Sequence, residues 1–446
     1  MTGMSEYVSG RVGDEVEPDD DPATEPNGPE ATGTLDATAQ PTPDVIDRPA
    51  LSAADLVRFD PHWCLFWGRM VLGSQLDVWF PYLKRSRHRF VVMGTTGVRP
   101  ADEDRLAALP NVLVLQSNEH ALEWLGRCQR FEGYLYVSTA QENWVNINRQ
   151  RRKSHIFIGH GESAKGGSGS RTASIYDATF VADYGVVRRY PRAIRRWVGS
   201  GALAIGAPVV EGVRKDPRPA PTKVRTILYA PTWESKLEGG DYTSLDTVAP
   251  LLLDLLPALT ARGTEVIVRP HPWTGRRAPE LKASVQALYD AGAVAEPSKI
   301  GAMERADVLI GDVSGMTAEF LLTGRPAIMP ITVKLTRREK DPDWLSVEYP
   351  WVYRWDPSRV GLLDLLDTIE ATDPLRRRRA AEASRKFRHH RSLEDAVRTF
   401  DLALDVIRWR RTPVPLRYPF EARLLLSRLR RPGTRHPEAR PADEIG

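Results

Sequence analysis

Cysteine is nearly absent from this chain of 446 residues: Cys64 and Cys128 are the whole supply. Two distant thiols give no disulfide framework and no cysteine zinc site, and they fit a reducing compartment. No apolar run approaches the roughly 18 residues that a bilayer-crossing helix needs. The first residues lack a basic start followed by an apolar stretch, so no secretory signal is read there. No internal repeat appears at solenoid spacing. Nucleic-acid-binding motifs are missing too, so a net charge of +4 carries no argument for DNA or RNA. These absences together predict a cytoplasmic protein.

Apolar residues make up 41% of the chain and charged residues 27%, the balance of an ordinary globular protein. The charge is unevenly placed. Residues 1–60 hold 14 acids against 3 bases, whereas residues 373–446 hold 10 acids against 19 bases. The first 50 residues, rich in Pro, Thr, Asp, Glu and Gly, read as a disordered acidic tail. From Leu51 onward large apolar side chains crowd together. Most of the stretch from Trp63 to Leu83 reads as a helix leading into the first domain.

Short apolar runs then alternate with helix-length segments, which predicts α/β architecture with parallel sheets. The first series comprises Arg89–Gly94, Val112–Leu115, Tyr134–Ser138, His155–Gly159, Thr179–Ala182 and Leu203–Ile205. The second comprises Thr226–Ala230, Glu265–Arg269, Val308–Ile310 and Ala327–Met329. Between them, Lys215 to Lys223 is rich in proline and charge and reads as a linker. The expected plan is two Rossmann-like domains at 51–214 and 215–372, a helix within 373–410, and a basic tail from 411. The helix opens on a capping pattern, Ser392 followed by Asp395.

Ligands of open parallel sheets bind at the carboxyl ends of strands. Four such ends carry unusual chemistry here. His160 sits between Gly159 and Gly161 and is followed by a Gly/Ser-rich loop, a setting for a general base beside a phosphate. A plain turn whose histidine bonds the backbone satisfies the same pattern. Tyr229-Ala230-Pro231-Thr232-Trp233 offers a hydroxyl and a stacking ring, although Pro-Thr after a strand is common in turns. Arg269-Pro270-His271-Pro272 aims a permanent cation and a backbone-restricted histidine at one place. Asp312-Val313-Ser314 ends a strand and opens a helix that carries Glu319, which is either a ribose partner or a solvated helix face.

The order of these motifs resembles the CDP-glycerol glycerophosphotransferase family of teichoic-acid polymerases and primases, over roughly residues 150–330. The family pattern is HGTPLK, YAPTWR, R-x-HP and D-x-SS-x3-D on a GT-B scaffold, two Rossmann-like domains facing each other across a cleft. In this chain Glu162, Ser163 and Ala164 replace Thr-Pro-Leu, Glu234 replaces the last Arg, Gly315 the second Ser, and Glu319 the last Asp. The resemblance implies transfer of a polyol phosphate, glycerol phosphate first, to a hydroxyl of a cell-envelope glycan or lipid-linked acceptor, with release of CMP. It implies that the donor, CDP-glycerol or CDP-ribitol, is held by Thr232, Arg269, Asp312, Ser314, Thr317 and Glu319. Gly161 and Lys165 stand on the acceptor side, and His160 and His271 are catalytic. No cofactor or protein-bound metal is required, and Mg²⁺ is compatible with the scheme. The basic segment from Tyr418 to Arg435 suits an anionic membrane surface, which puts the protein on the inner face of the cell membrane. A helix packed onto the protein body is the alternative for that segment. Two other functions stay open: a GT-B glycosyltransferase using a nucleotide sugar, and a non-catalytic interaction protein, against which the retention of His160 and His271 speaks.

Overall fold

The computed structural model describes residues 52–411 apart from 69–70, 72, 116–119, 162–170, 210, 212–222, 235–240, 339–343, 389 and 391. The acidic tail, most of the expected linker, Lys165 and the basic segment from Tyr418 lie outside the described residues.

Apolar runs bounded by polar residues fold into two wholly parallel sheets. In the first, β1 (Trp63–Trp67), β2 (Phe90–Gly94), β3 (Val112–Leu115), β4 (Gly133–Tyr136), β5 (Ser154–Phe157), β6 (Ala178–Val181) and β7 (Ala202–Ala204) run in the order β3-β2-β1-β4-β5-β6-β7. In the second, β8 (Thr226–Ala230), β9 (Glu265–Val268), β10 (Val294–Ala295), β11 (Val308–Gly311), β12 (Ala327–Pro330) and β13 (Tyr353–Trp355) run β10-β9-β8-β11-β12-β13. Each order reverses once, between β1 and β4 and between β8 and β11. At such a reversal the loops leaving the two central strands diverge and open a crevice at their carboxyl ends.

One sequence expectation needs correction, and two edge strands are added to the plan. Trp63–Trp67 is an interior strand of the first sheet, paired on both sides, and the helix begins only at Gly73. A strand buried on both faces has no polar alternation, so its continuous apolar run is indistinguishable from a buried helix. The edge strands β10 and β13 have two and three residues, too short for a recurring pattern. The last helix, Leu393–Arg411, starts where its capping pattern places it, with the Asp395 N–H donating to Ser392 Oγ at 3.3 Å. It does not extend the second sheet. It returns to the first.

The return is built from aromatic packing and one buried carboxylate. Phe400, 1% exposed, meets Trp79 and Tyr82 at 5.5 Å between centroids, Phe180 at 5.9 Å and Phe90 at 6.4 Å. Asp401 accepts from the Arg87 N–H at 3.1 Å and from the Ser86 hydroxyl. On the way back the chain crosses between the units. Arg385 pairs with Asp183 at 2.6 Å, the Ala207 N–H donates to the Lys386 carbonyl, and His390 Nε2 meets the Ile205 carbonyl at 2.9 Å.

Replacing Phe400 by Ala is expected to cost about 3–5 kcal/mol, the usual scale for emptying a buried aromatic site. Trp197→Ala, at a ring 62% exposed, should change stability by no more than about 0.5 kcal/mol. Urea unfolding followed by fluorescence measures both, and equal effects would contradict the assigned core.

Candidate active site

The site begins at the reversal of the second sheet. Asp312, directly after β11, is 3% exposed, and its Oδ2 accepts the Thr232 N–H at 2.7 Å and the Ser244 N–H at 3.2 Å. One carboxylate thus fixes the loop after β8 and the start of the helix Leu245–Ala261. The same turn is tied again by Thr317, whose hydroxyl donates to the Asp312 carbonyl at 2.6 Å. A side chain at Gly311 would begin 2.5 Å from that hydroxyl, so glycine is required where β11 ends. Ser314 caps the helix Gly315–Phe320, accepting the Thr317 N–H at 3.2 Å. Asp312, Ser314 and Thr317 therefore all spend polar groups on shaping the turn.

Glu319 lies in that short helix, and it is no solvated face. It is 6% exposed and pairs through Oε2 with Lys299 Nζ at 2.6 Å. Lys299 opens the helix Lys299–Arg305, which Ser298 caps. Sequence reasoning missed this lysine because the contact is purely tertiary, with no spacing rule joining residues 299 and 319.

Arg269 follows β9, its N–H held by the Tyr229 carbonyl at 2.9 Å. Its guanidinium Nε is buried and meets no hydrogen-bond acceptor. Burial draws its pKa down, opposed by the charges of Glu319 and Glu296. A desolvated cation without a bonded anion is the mark of a site waiting for one. Beside it, His271 Nδ1 accepts the Trp273 N–H at 3.2 Å, which leaves Nε2 as the protonated nitrogen of the neutral ring. Trp233 stacks on His271 with centroids 5.9 Å apart.

The first sheet supplies the opposite face. Gly159 (φ +63°) and Gly161 (φ +135°) let the chain turn on either side of His160, in backbone regions that a side chain disfavours. The Gly159 carbonyl accepts from Trp79 Nε1 at 2.6 Å, which ties the turn to the helix Gly73–Arg85. His160 Nδ1 lies 2.7 Å from the Val137 carbonyl. A carbonyl only accepts, so Nδ1 carries the proton and Nε2 is the basic nitrogen. The two histidines are thus set in opposite tautomers. A methyl group at Gly161 would come 3.6 Å from Glu319 Oε1, so the His160 turn and the Glu319 carboxylate face each other between the sheets.

Among the described residues no group of three or more His, Cys, Asp or Glu side chains is arranged to hold a metal ion. The Asp312 carboxylate, the natural candidate, is taken by two amides. Asp312→Ala is expected to strand two buried amides at about 1–3 kcal/mol each, with Asp312→Asn between it and the native chain. Denaturant unfolding of the three proteins checks the order.

Solved structures resemble the chain at low identity. The wall teichoic acid polymerase TagF matches with a TM-score of 0.49 and 13% identity, covering 80% of this chain and 91% of its own. Anabaena Alr3699/HepE, in complex with UDP and glucose, matches with a TM-score of 0.46 and 12% identity over 77% of this chain and 99% of its own. A putative UDP-N-acetylglucosamine 2-epimerase from Listeria monocytogenes reaches a TM-score of 0.51 at 12% identity, covering 80% of this chain and 99% of its own. This last likeness concerns the fold, a pair of parallel α/β sheets. No curated protein matches the sequence. Residues 213–333 match the family model described as CDP-Glycerol:Poly(glycerophosphate) glycerophosphotransferase, so the family resemblance holds over that segment, which contains the second to fourth motifs, while the His160 motif lies before it.

Proposed function

We propose that the chain moves a polyol phosphate, glycerol phosphate first, from a CDP-activated donor to a hydroxyl of a cell-envelope glycan or lipid-linked acceptor. The observation that carries this reading is the pair of opposite histidine tautomers. His160 presents a basic Nε2 from the first sheet, and His271 presents an Nε2–H beside Arg269 on the second.

The steps follow from those groups. Arg269 and the His271 Nε2–H take the diphosphate oxygens, supplying charge where the leaving CMP develops it. Glu319, next to the Gly161 turn, accepts from donor hydroxyls. The acceptor hydroxyl enters beside His160 and gives its proton to Nε2 as its oxygen attacks the β-phosphorus. The phosphorus–oxygen bond to CMP breaks, and CMP departs with the electron pair. Asp312, Ser314 and Thr317 act by shaping the turn rather than by touching phosphate. A basic surface meeting the inner face of the membrane belongs to the same proposal, since a lipid-linked acceptor is presented there. The described residues contain no helix long and apolar enough to cross a membrane.

A ligand at about 100 times its dissociation constant adds roughly 2.7 kcal/mol of stability. CDP-glycerol or CDP-ribitol is therefore expected to raise the melting temperature, and UDP-sugars are not. Stabilisation by UDP-sugars alone would redirect the assignment to a glycosyltransferase.

Point variants separate the two histidines. His160→Ala should bind the CDP donor nearly normally in calorimetry yet lose about 10²–10⁴-fold in CMP release, the scale of a general base. Arg269→Ala should lose donor affinity, and Arg269→Lys should recover only part of it because a point charge lacks the guanidinium fork. Wild-type turnover in His160→Ala would sink the base assignment.

A further inference from the structure

Glu234 stands where the resembling family carries an arginine, and nothing in the reaction above uses it. We propose that Glu234 is a positioning residue that sets the tautomer of His271 by anchoring the turn on which that histidine depends.

The carboxylate is 6% exposed. Its Oε1 accepts the N–H groups of Arg277 at 2.9 Å and Ala278 at 3.4 Å, and its Oε2 accepts that of Gly275 at 3.2 Å. These amides precede the helix Pro279–Asp290, whose own N-cap residue, Ala278, has no side-chain acceptor to offer. Pro279 contributes no N–H at all. Glu234 therefore caps this helix from a different strand end, with a negative charge at the positive end of the helix. Burial pushes its pKa upward, but the amides of Arg277, Gly275 and Ala278 outweigh it and hold the group below the usual carboxylate range. The anchor stays ionised at neutral pH.

The anchored turn is continuous with His271. The Thr274 N–H donates to the His271 carbonyl at 2.9 Å, and the Arg276 N–H to the Trp273 carbonyl at 3.1 Å. Trp273 is the residue whose amide meets His271 Nδ1. Ring contacts also join the two loops, with Trp233 and Trp273 at 4.9 Å. Apolar contact sets a distance but does not decide which imidazole nitrogen holds a proton. The Trp273 N–H favours a lone pair on Nδ1, and the position of that N–H is fixed at one end by β9 and at the other by Glu234.

The tautomer claim stands without the proposed reaction, and only the use made of the Nε2–H rests on it. The experiment is imidazole ¹⁵N NMR of the full chain labelled at histidine, near pH 8, above the usual histidine pKa of about 6.5. Wild type should show His271 in the Nε2–H form. Glu234→Met, of similar length without an acceptor, should shift it to a mixture of both tautomers and raise the KM for CDP-glycerol about tenfold. Glu234→Gln keeps one carbonyl for the Arg277 and Ala278 amides and should restore most of both. Should Glu234→Met fail to fold, Glu234→Asp, one methylene short of the amides, takes its place. A wild-type imidazole pattern in the variant that folds would overturn the proposal. Absence of CDP-glycerol binding by wild type would instead overturn the assigned reaction and leave the NMR result standing.

Discussion

The Asp312 carboxylate is the constraint on which the second half of the molecule depends. Strand order alone opens a crevice between β8 and β11, but it does not say how wide or in what shape. A single buried oxygen receiving the Thr232 and Ser244 amides closes the base of that crevice to hydrogen-bond distance. The other groups of this crevice are measured from this point: the Ser314 cap, the Glu319 carboxylate further along the same helix, and Arg269 after the neighbouring strand. Two amides that would otherwise be stranded in the interior gain an acceptor, and the acceptor gains two donors. The arrangement rigidifies because no member can leave without exposing another.

Charge is distributed with similar economy. Glu319 is balanced by Lys299, and Glu234 by backbone amides. Arg269 keeps a buried guanidinium Nε without an acceptor, as Arg277, Arg325 and Arg379 each do with one nitrogen. Burying an unpaired polar group costs stability, and Arg269 bears that cost at the carboxyl end of β9, where ligands of parallel sheets bind. The histidines make the same distinction without charge. Each offers one ring nitrogen to a backbone group, a carbonyl for His160 and an amide for His271, which places their protons on different nitrogens.

Most of the strand plan was legible, because strands followed by turns of unusual chemistry stand out in a parallel fold. Val112–Leu115 and Thr226–Ala230 were read to the residue. The strand Trp63–Trp67 was not, since a strand buried on both faces shows only an apolar run. The clustering of Thr232, Arg269, His271 and Glu319 followed from their strand-end positions. Their partners did not. Lys299 reaches Glu319, and Glu234 reaches the 275–278 turn, through contacts that no local spacing announces. Asp312 looked like a ligand group in sequence, because a buried carboxylate serving backbone amides leaves the same trace as one serving a substrate.

The return of the last helix to the first sheet has a consequence for how the protein comes into being. Phe400 fills the space enclosed by Trp79, Tyr82, Phe90 and Phe180, so the earliest-synthesised sheet lacks part of its interior until the ribosome has passed residue 411. Such long-separation contacts slow folding and leave apolar surface open meanwhile. The second sheet's last strand ends at Trp355, and Leu362, Leu366 and Ile369 of the following helix complete its second core face. The half bearing His160 is therefore sealed late, by the helix Leu393–Arg411.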